Sequence, residues 1–311
     1  MLIRICLLVF ASLAYLGTPP ATAEVKTENE HDLLKGLESS DWEVRYQTIE
    51  RLKPIPRERL DAPIKDKLIQ LLEFETRRVW DRFDKKVPAG AYPEIGGEGF
   101  AEYYAALIGV VLNLHEKRAL PALVAAASEP LTEFNAQLAS CGTSVLKPAL
   151  ARLKGSTDSG IQSAMADILA HVLLKNRNHE LHPELSIEDL QSIRGALGPL
   201  LLTSNRRTRF YVAFALALVP DYAEADKIKK IFTDHLGDNQ PGARLAALQK
   251  MCELRDGRVV PLAKVKELAE KDEFRIEKKT PDGKTYVEYP VRSLASQVLV
   301  KFSKKRKAQK D

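Results

Sequence analysis

The chain has 311 residues, of which 45% are hydrophobic, 7% aromatic and 29% charged, with a net charge of +5. Few aromatic residues beside recurrent Ala, Leu, Lys and Glu favour helices packed by small and medium side chains and disfavour a large β-fold. Residues 301–311 carry six basic residues against one acid, so most of the positive charge is terminal; the near-neutral body offers no electrostatic footprint for nucleic acid.

The first element is an export signal. Arg4 leads into an apolar run from Ile5 to Leu16; Gly17, Pro19 and Pro20 end it, and Ala21-Thr22-Ala23 supplies the small residues of a cleavage site. About twelve apolar residues are too few to cross a bilayer, which needs roughly 20. Residues 1–23 are therefore expected to be cleaved, leaving a periplasmic or secreted product with no transmembrane segment. Its two cysteines, Cys141 and Cys252, lie among apolar neighbours in segments expected to be several helical layers apart, and are read as buried, unpaired thiols.

Beyond the leader the chain repeats. Asp41-Trp42-Glu43-Val44-Arg45 with Thr48 and Ile49, Thr208-Arg209 with Val212 and Ala213, Ala243-Arg244 with Ala247 and Leu248, and Val291-Arg292 with Ala295 and Ser296 align. Each places an Arg just inside a helix start and small or apolar residues three and four positions later, on one face where a neighbouring helix can approach. Weaker copies carry Gln162, with Met165 and Ala166, and Asn135, with Leu138 and Ala139. A second signature, a short turn followed by an apolar helix with Pro near its start, occurs around Leu120-Pro121 and Val260-Pro261, where the missing proline donor costs nothing.

These patterns resemble HEAT-like (armadillo-type) helical repeats, whose first helix opens Asp-x-x-Val-Arg-x-x-Ala and whose second carries a Pro-Ala-Leu pattern. The resemblance implies an all-α fold: a right-handed α-solenoid of about six helix pairs over residues 24–303, with a basic disordered tail at 304–311. Asp41, Arg45, Arg209, Arg244 and Arg292 are then structural repeat positions; sitting near helix starts, these arginines can pair with an Asp of a neighbouring repeat. One hairpin cannot bury both of its apolar stripes, so neighbours must stack. A compact helical bundle is the competing fold and leaves the recurring Arg unexplained.

Three stretches interrupt the repeat: a Pro/Gly-rich insertion at 84–99, a polar connection at 175–185, and a segment at 274–290 whose alternation around Thr280-Pro281-Asp282-Gly283 reads as a β-hairpin. The hairpin's aromatic residues could cover the end of the helical core. His179, Glu180, His182 and Glu184 form the one dense group of metal-ligand types, but the two His are three apart beside Pro183 rather than four apart on a helix. No nucleophile elbow, phosphate loop or dinucleotide fingerprint is present, and no series of His, Asp or Cys recurs on equivalent inward faces. No cofactor or metal is expected.

The function read from the sequence is a non-enzymatic scaffold that binds a protein or peptide through a concave helical surface and its insertions, with Arg77, Arg78, Trp80 and Tyr92 as contacts. A cell-wall or polysaccharide partner is the alternative; a lyase-type enzyme on the same kind of fold is a weaker one. The basic tail could add a weak contact to an anionic surface. Intact-mass and N-terminal sequencing of the exported product are expected to show Glu24 as first residue; a product still carrying Met1 would refute the leader.

Overall fold

The computed structural model describes residues 30–88, 90–128, 130, 132–280 and 284–308. The expected leader therefore lies outside the described residues. The chain divides into two compact units, Met1–Arg152 and Leu153–Asp311. Among the described residues there are fourteen α-helices and one two-stranded antiparallel sheet, with short 3-10 turns between some helices.

The first unit comprises α1 (Glu30–Leu37), α2 (Trp42–Leu52), α3 (Ala62–Phe83), α4 (Glu98–Asn113), α5 (Leu120–Ala126), α6 (Thr132–Ala139) and most of α7 (Leu146–Gly155). α1 packs on α2 and α3, α2 on α4, and α3 on α4 and α5. The approach of α1 to α2 is so close that a Cβ on Gly36 would collide with the Thr48 side chain, which favours glycine there.

The second unit holds α8 (Ser159–Arg177), α9 (Ile187–Leu197), α10 (Arg206–Leu218), α11 (Ala225–Leu236), α12 (Pro241–Glu253), α13 (Leu262–Lys271), strands β1 (Ile276–Lys279) and β2 (Thr285–Glu288), and α14 (Pro290–Ala308). α8 packs on α10, α12 on α14, and α11 on α10, α12 and α13. In each unit a helix mainly touches those one and two places along the chain.

The repeated residues share one geometry. Arg45, Gln162, Arg209 and Arg244 all stand four residues after the N-caps Asp41, Asp158, Asn205 and Gln240. Each donates from its side chain to the carbonyl six residues earlier: Arg45 Nη1 to Ser39 O (2.7 Å), Gln162 Nε2 to Ser156 O (2.9 Å), Arg209 Nη1 to Thr203 O (3.0 Å) and Arg244 Nη1 to Asp238 O (2.7 Å). The bond closes the turn that enters the helix and satisfies a carbonyl that lies outside it. Gln162 thus does the work of an arginine, and its copy is in register. Arg292 sits one position earlier and reaches Asp272 O (2.6 Å), because the hairpin occupies the chain immediately before it. Of the Asp partners expected, Arg244 meets Asp272, whereas Arg45 meets a Glu, Glu75. The face three and four positions on is buried as expected at Thr48 and Ile49, Met165 and Ala166, Val212 and Ala213, and Ala247 and Leu248, but after Arg292 only Ala295 is buried and Ser296 is exposed.

Several boundaries differ from expectation. α8 runs to Arg177, three residues into the connection expected from 175, because Lys175 and Arg177 stabilise its carbonyl end. α14 continues to Ala308, into the tail expected to be disordered from 304; Lys, Arg and Ala are good helix formers, and basic residues suit a helix C-terminus. Strands β1 and β2 pair in the register Ile276 with Glu288, but Ile276, Tyr286 and Val287 are exposed, so they do not cover the helical core. Cys141 and Cys252 stand unbridged, half-buried rather than fully buried, and burial pushes both thiols up.

A buried histidine makes the second unit acid-sensitive. His235 of α11 stacks on Phe210 at 4.2 Å, and burial, aided by Arg206, pushes its pKa down to about 4. The unfolded chain takes up this proton below about 6.5 and the folded chain only near 4. Stability present above pH 6.5 is therefore lost as pH falls towards 4, at about 1.4 kcal/mol per pH unit for this group. In urea titrations at pH 7.5 and 4.5, His235→Gln should narrow the stability gap to the wild type at the lower pH; a gap independent of pH would contradict this.

Candidate functional site

α3 organises the first unit's surface. Its stripe of Ile64, Leu68, Leu71, Leu72, Glu75 and Thr76 is buried, and within this otherwise mostly apolar row Glu75 is completely inaccessible. The carboxylate is held by three donors: Arg45 Nη2 (2.6 Å) and Tyr103 Oη (2.9 Å) on Oε1, and Arg78 Nη1 (2.7 Å) on Oε2. Arg45 Nε also donates to Tyr103 Oη at 2.9 Å, and its Nη1 spans Ser39 O and Ser40 O. Burial, reinforced by Glu75, raises the Tyr103 hydroxyl, which stays protonated and donates. Both Glu75 oxygens and all three Arg45 guanidinium nitrogens have partners, the condition under which a buried ion pair persists.

Arg78 extends the network outward. Its second nitrogen meets Glu94 of the insertion, and its guanidinium lies 4.4 Å from the Tyr92 ring centroid and 5.3 Å from that of Phe74. Burial works against the Arg78 charge, but Glu75 and Glu94 outweigh it and raise its pKa. Burial likewise opposes ionisation of Glu94, yet its own backbone N–H and Arg78 hold it below the usual carboxylate range. Arg82 donates to Tyr92 O, and Lys86 N to Asp81 O, so the insertion folds back onto the end of α3. Tyr92 itself takes a left-handed backbone (φ 55°) at the turn that presents its ring to Arg78.

The result is a groove of about 560 Å³ between the α1–α2 turn and α3. Ser39, Ser40, Lys67, Gln70, Phe74 and the Arg78–Tyr92 stack line it. Phe74 is 51% exposed although aromatic. Of the four contacts expected from sequence, Arg78 and Tyr92 meet here. Arg77 is exposed and is not part of this lining. Trp80 faces elsewhere: its Nε1 donates to Ala125 O at 3.0 Å and Arg152 lies over its ring, so it ties α3 to the end of α5. Phe74 was missed in the sequence, although it falls off the buried row of α3 and could have been found on a helical wheel.

The second unit assembles a polar cluster that sequence patterning did not reveal. Asp167 and His171 of α8 meet Lys250 of α12, with Asp167 Oδ1 to Lys250 Nζ at 2.9 Å and Asp167 Oδ2 to His171 Nε2 at 3.8 Å. Lys250 also lies over Phe214 of α10 at 4.9 Å. Burial drives His171 down to about 4 against the pull of Asp167, and burial raises Glu253, which Lys250 partly offsets. The residues are one helical turn apart on α8 and three apart on α12, and the two helices are distant in sequence; the inward series sought between adjacent repeats does not describe them. The set links three helices, and His171 retains only 12% side-chain exposure. In the 175–185 connection, His179 pairs with Glu184 at 2.8 Å while Glu180 bonds Asn178 and Lys175.

No family model matches the chain, and no curated protein matches it. A solved structure that it resembles is the crystal structure of an engineered protein, a Northeast Structural Genomics Consortium target, at 16% identity and a TM-score of 0.34 over 88% of this chain and 96% of that one. A superposition this loose carries no argument. The coordinates themselves define a mostly helical protein with one small hairpin, and among the described residues no helix is long and apolar enough to cross a membrane.

Removing one partner of the buried cluster strands the other charge, at about 3–5 kcal/mol. Arg45→Ala and Glu75→Leu should each lose stability of that size in denaturant titrations, with the double variant losing less than the sum. Arg244→Ala, whose pair with Asp272 is nearly as buried, should fall well beyond the roughly 1 kcal/mol typical of exposed pairs. Additive losses, or changes within about 0.5 kcal/mol, would refute the assignment.

Proposed function

We propose that this chain is an exported, non-enzymatic binding scaffold, a right-handed α-solenoid of HEAT-like helix pairs that holds an extended peptide segment of a protein partner in the α1–α3 groove. Support for the solenoid is the clamp repeated at the fourth helical position and the contacts of each helix with those one and two places along. The contact surface narrows from the expected concave face to this groove, with the insertion as one wall.

The observation that carries the reading is the exposed Phe74 beside an Arg78–Tyr92 stack that is already fixed in place. Aromatic and Arg side chains dominate interface energetics, and side chains immobilised beforehand lose little entropy on binding. The charges lining the groove are largely balanced: Arg45 and Arg78 by Glu75 and Glu94, Lys67 by Glu38 at 3.8 Å. That balance suits a peptide backbone with one apolar anchor better than a polyanion. Replacing residues 85–98 by a flexible link would remove Glu94 and buried Ile95, disturbing the wall and the core together, so point substitutions are the cleaner probe.

A displayed peptide library panned on the intact chain should return binders sharing one apolar anchor position. Phe74→Ala, an exposed site with little effect on stability, should weaken them about 30-fold, equivalent to roughly 2 kcal/mol. Binders indifferent to Phe74→Ala and to Tyr92→Ala would overturn the groove assignment. Failure to select any peptide, with cell-wall glycan fragments bound in a Phe74-dependent way, would replace the peptide by a polysaccharide.

A further inference from the structure

The second unit contains a recess of its own, of about 260 Å³, where α8 and α10 end beside the 3-10 turn at 257–259. Its apolar lining includes Leu173, Leu190, Ile228 and Val259, and its polar lining includes Arg177, Arg255 and Tyr222. Drug-sized ligands occupy cavities of roughly 300–1,000 Å³, so this one suits a smaller molecule.

Arg177 is the unusual member. Its Nη2 donates to Glu253 O at 2.9 Å, capping the end of α12, while its Nε is buried without a hydrogen-bond partner. Among the described residues no carboxylate forms an ion pair with it, in contrast to Arg45, Arg78 and Arg244. Burial and the neighbouring Arg255 both disfavour its charge, and Glu253 offsets them only in part. A guanidinium in that position is stabilised by an added anion, and its planar fork suits a carboxylate. The nearby Arg258 is committed to Asp256 at 2.8 Å, while Arg255 Nη2 reaches Asn178 Oδ1 at 3.3 Å. Three arginines against Asp221 and Asp256 leave the lining one positive charge in excess, which matches a monoanion rather than a phosphate dianion.

We propose that this recess is a binding site for a small monocarboxylate with an apolar body, its carboxylate on Arg177 beside Arg255 and its body against Leu173, Leu190, Ile228 and Val259. The site lies wholly within the second unit and is independent of the peptide groove. An unbranched acid of six carbons has the required shape: a single charged end and a flexible apolar chain.

Calorimetric titration of the intact chain with hexanoate, hexylammonium and inorganic phosphate tests it. Hexanoate should bind with one-to-one stoichiometry, and the other two at least tenfold more weakly. Arg177→Gln should raise the hexanoate Kd at least tenfold. Because that variant also removes a helix cap, Leu190→Trp, which fills the apolar end and leaves Arg177 in place, should do the same. Absence of hexanoate binding, equal binding of hexylammonium or phosphate, or retention of hexanoate affinity in Leu190→Trp would each overturn the proposal.

Discussion

The side-chain clamp at the fourth helical position is the constraint on which the rest of the structure depends. A chain that must reverse and enter a helix leaves carbonyls outside the helix with no partner, and water cannot reach all of them once neighbours stack. A long donor at this position returns to the carbonyl six residues back and fixes the entry turn in one geometry. Gln162 shows that the hydrogen bond, rather than the charge, is the common requirement. Where arginine is used, the turn takes only part of its donor capacity. The remaining N–H groups need further acceptors, and Glu75 and Asp272, 30 and 28 residues further on, meet that need for Arg45 and Arg244.

This surplus of donors links the core of the first unit to its surface. Glu75 cannot be an apolar residue while Arg45 is present, because the guanidinium would be stranded in an apolar environment. Once Glu75 is there, its second oxygen is available to Arg78, and Arg78 in turn fixes Glu94 and Tyr92. The groove wall is therefore continuous with the buried clamp. An insertion that looked like a free loop in the sequence is anchored at Glu94, at Tyr92 O and at Lys86 N. It forms a wall and has no need to close as a lid.

Local periodicity carried most of the legible information. The register of the Arg and Gln copies, the buried face three and four residues later and the hairpin at 276–288 can all be read from spacing alone, because each depends on residues within one helix or one turn. The groove was half legible: the Tyr92 insertion and Arg78 stand out by composition, whereas Trp80 attracted attention by residue type and belongs to a different face. Glu75, Phe74 and the Asp167–Lys250 pair were not read from the sequence. Two of them depend on contacts 30 or 83 positions apart, and Phe74 is visible only once the buried row of α3 has been fixed.

The buried charges of the two units are balanced to different degrees. In the first unit the cluster around Glu75 is closed, since Arg45, Glu75, Tyr103 and Arg78 satisfy one another, although Arg152 Nε of the same unit is buried without a hydrogen-bond partner. In the second, burial drives His171 and His235 towards neutrality and leaves Arg177 with an unused donor. Such groups retain a free-energy cost that protons or anions can relieve. The cluster around Glu75 is therefore fixed by its own members, whereas the second unit's stability responds to protons through His235.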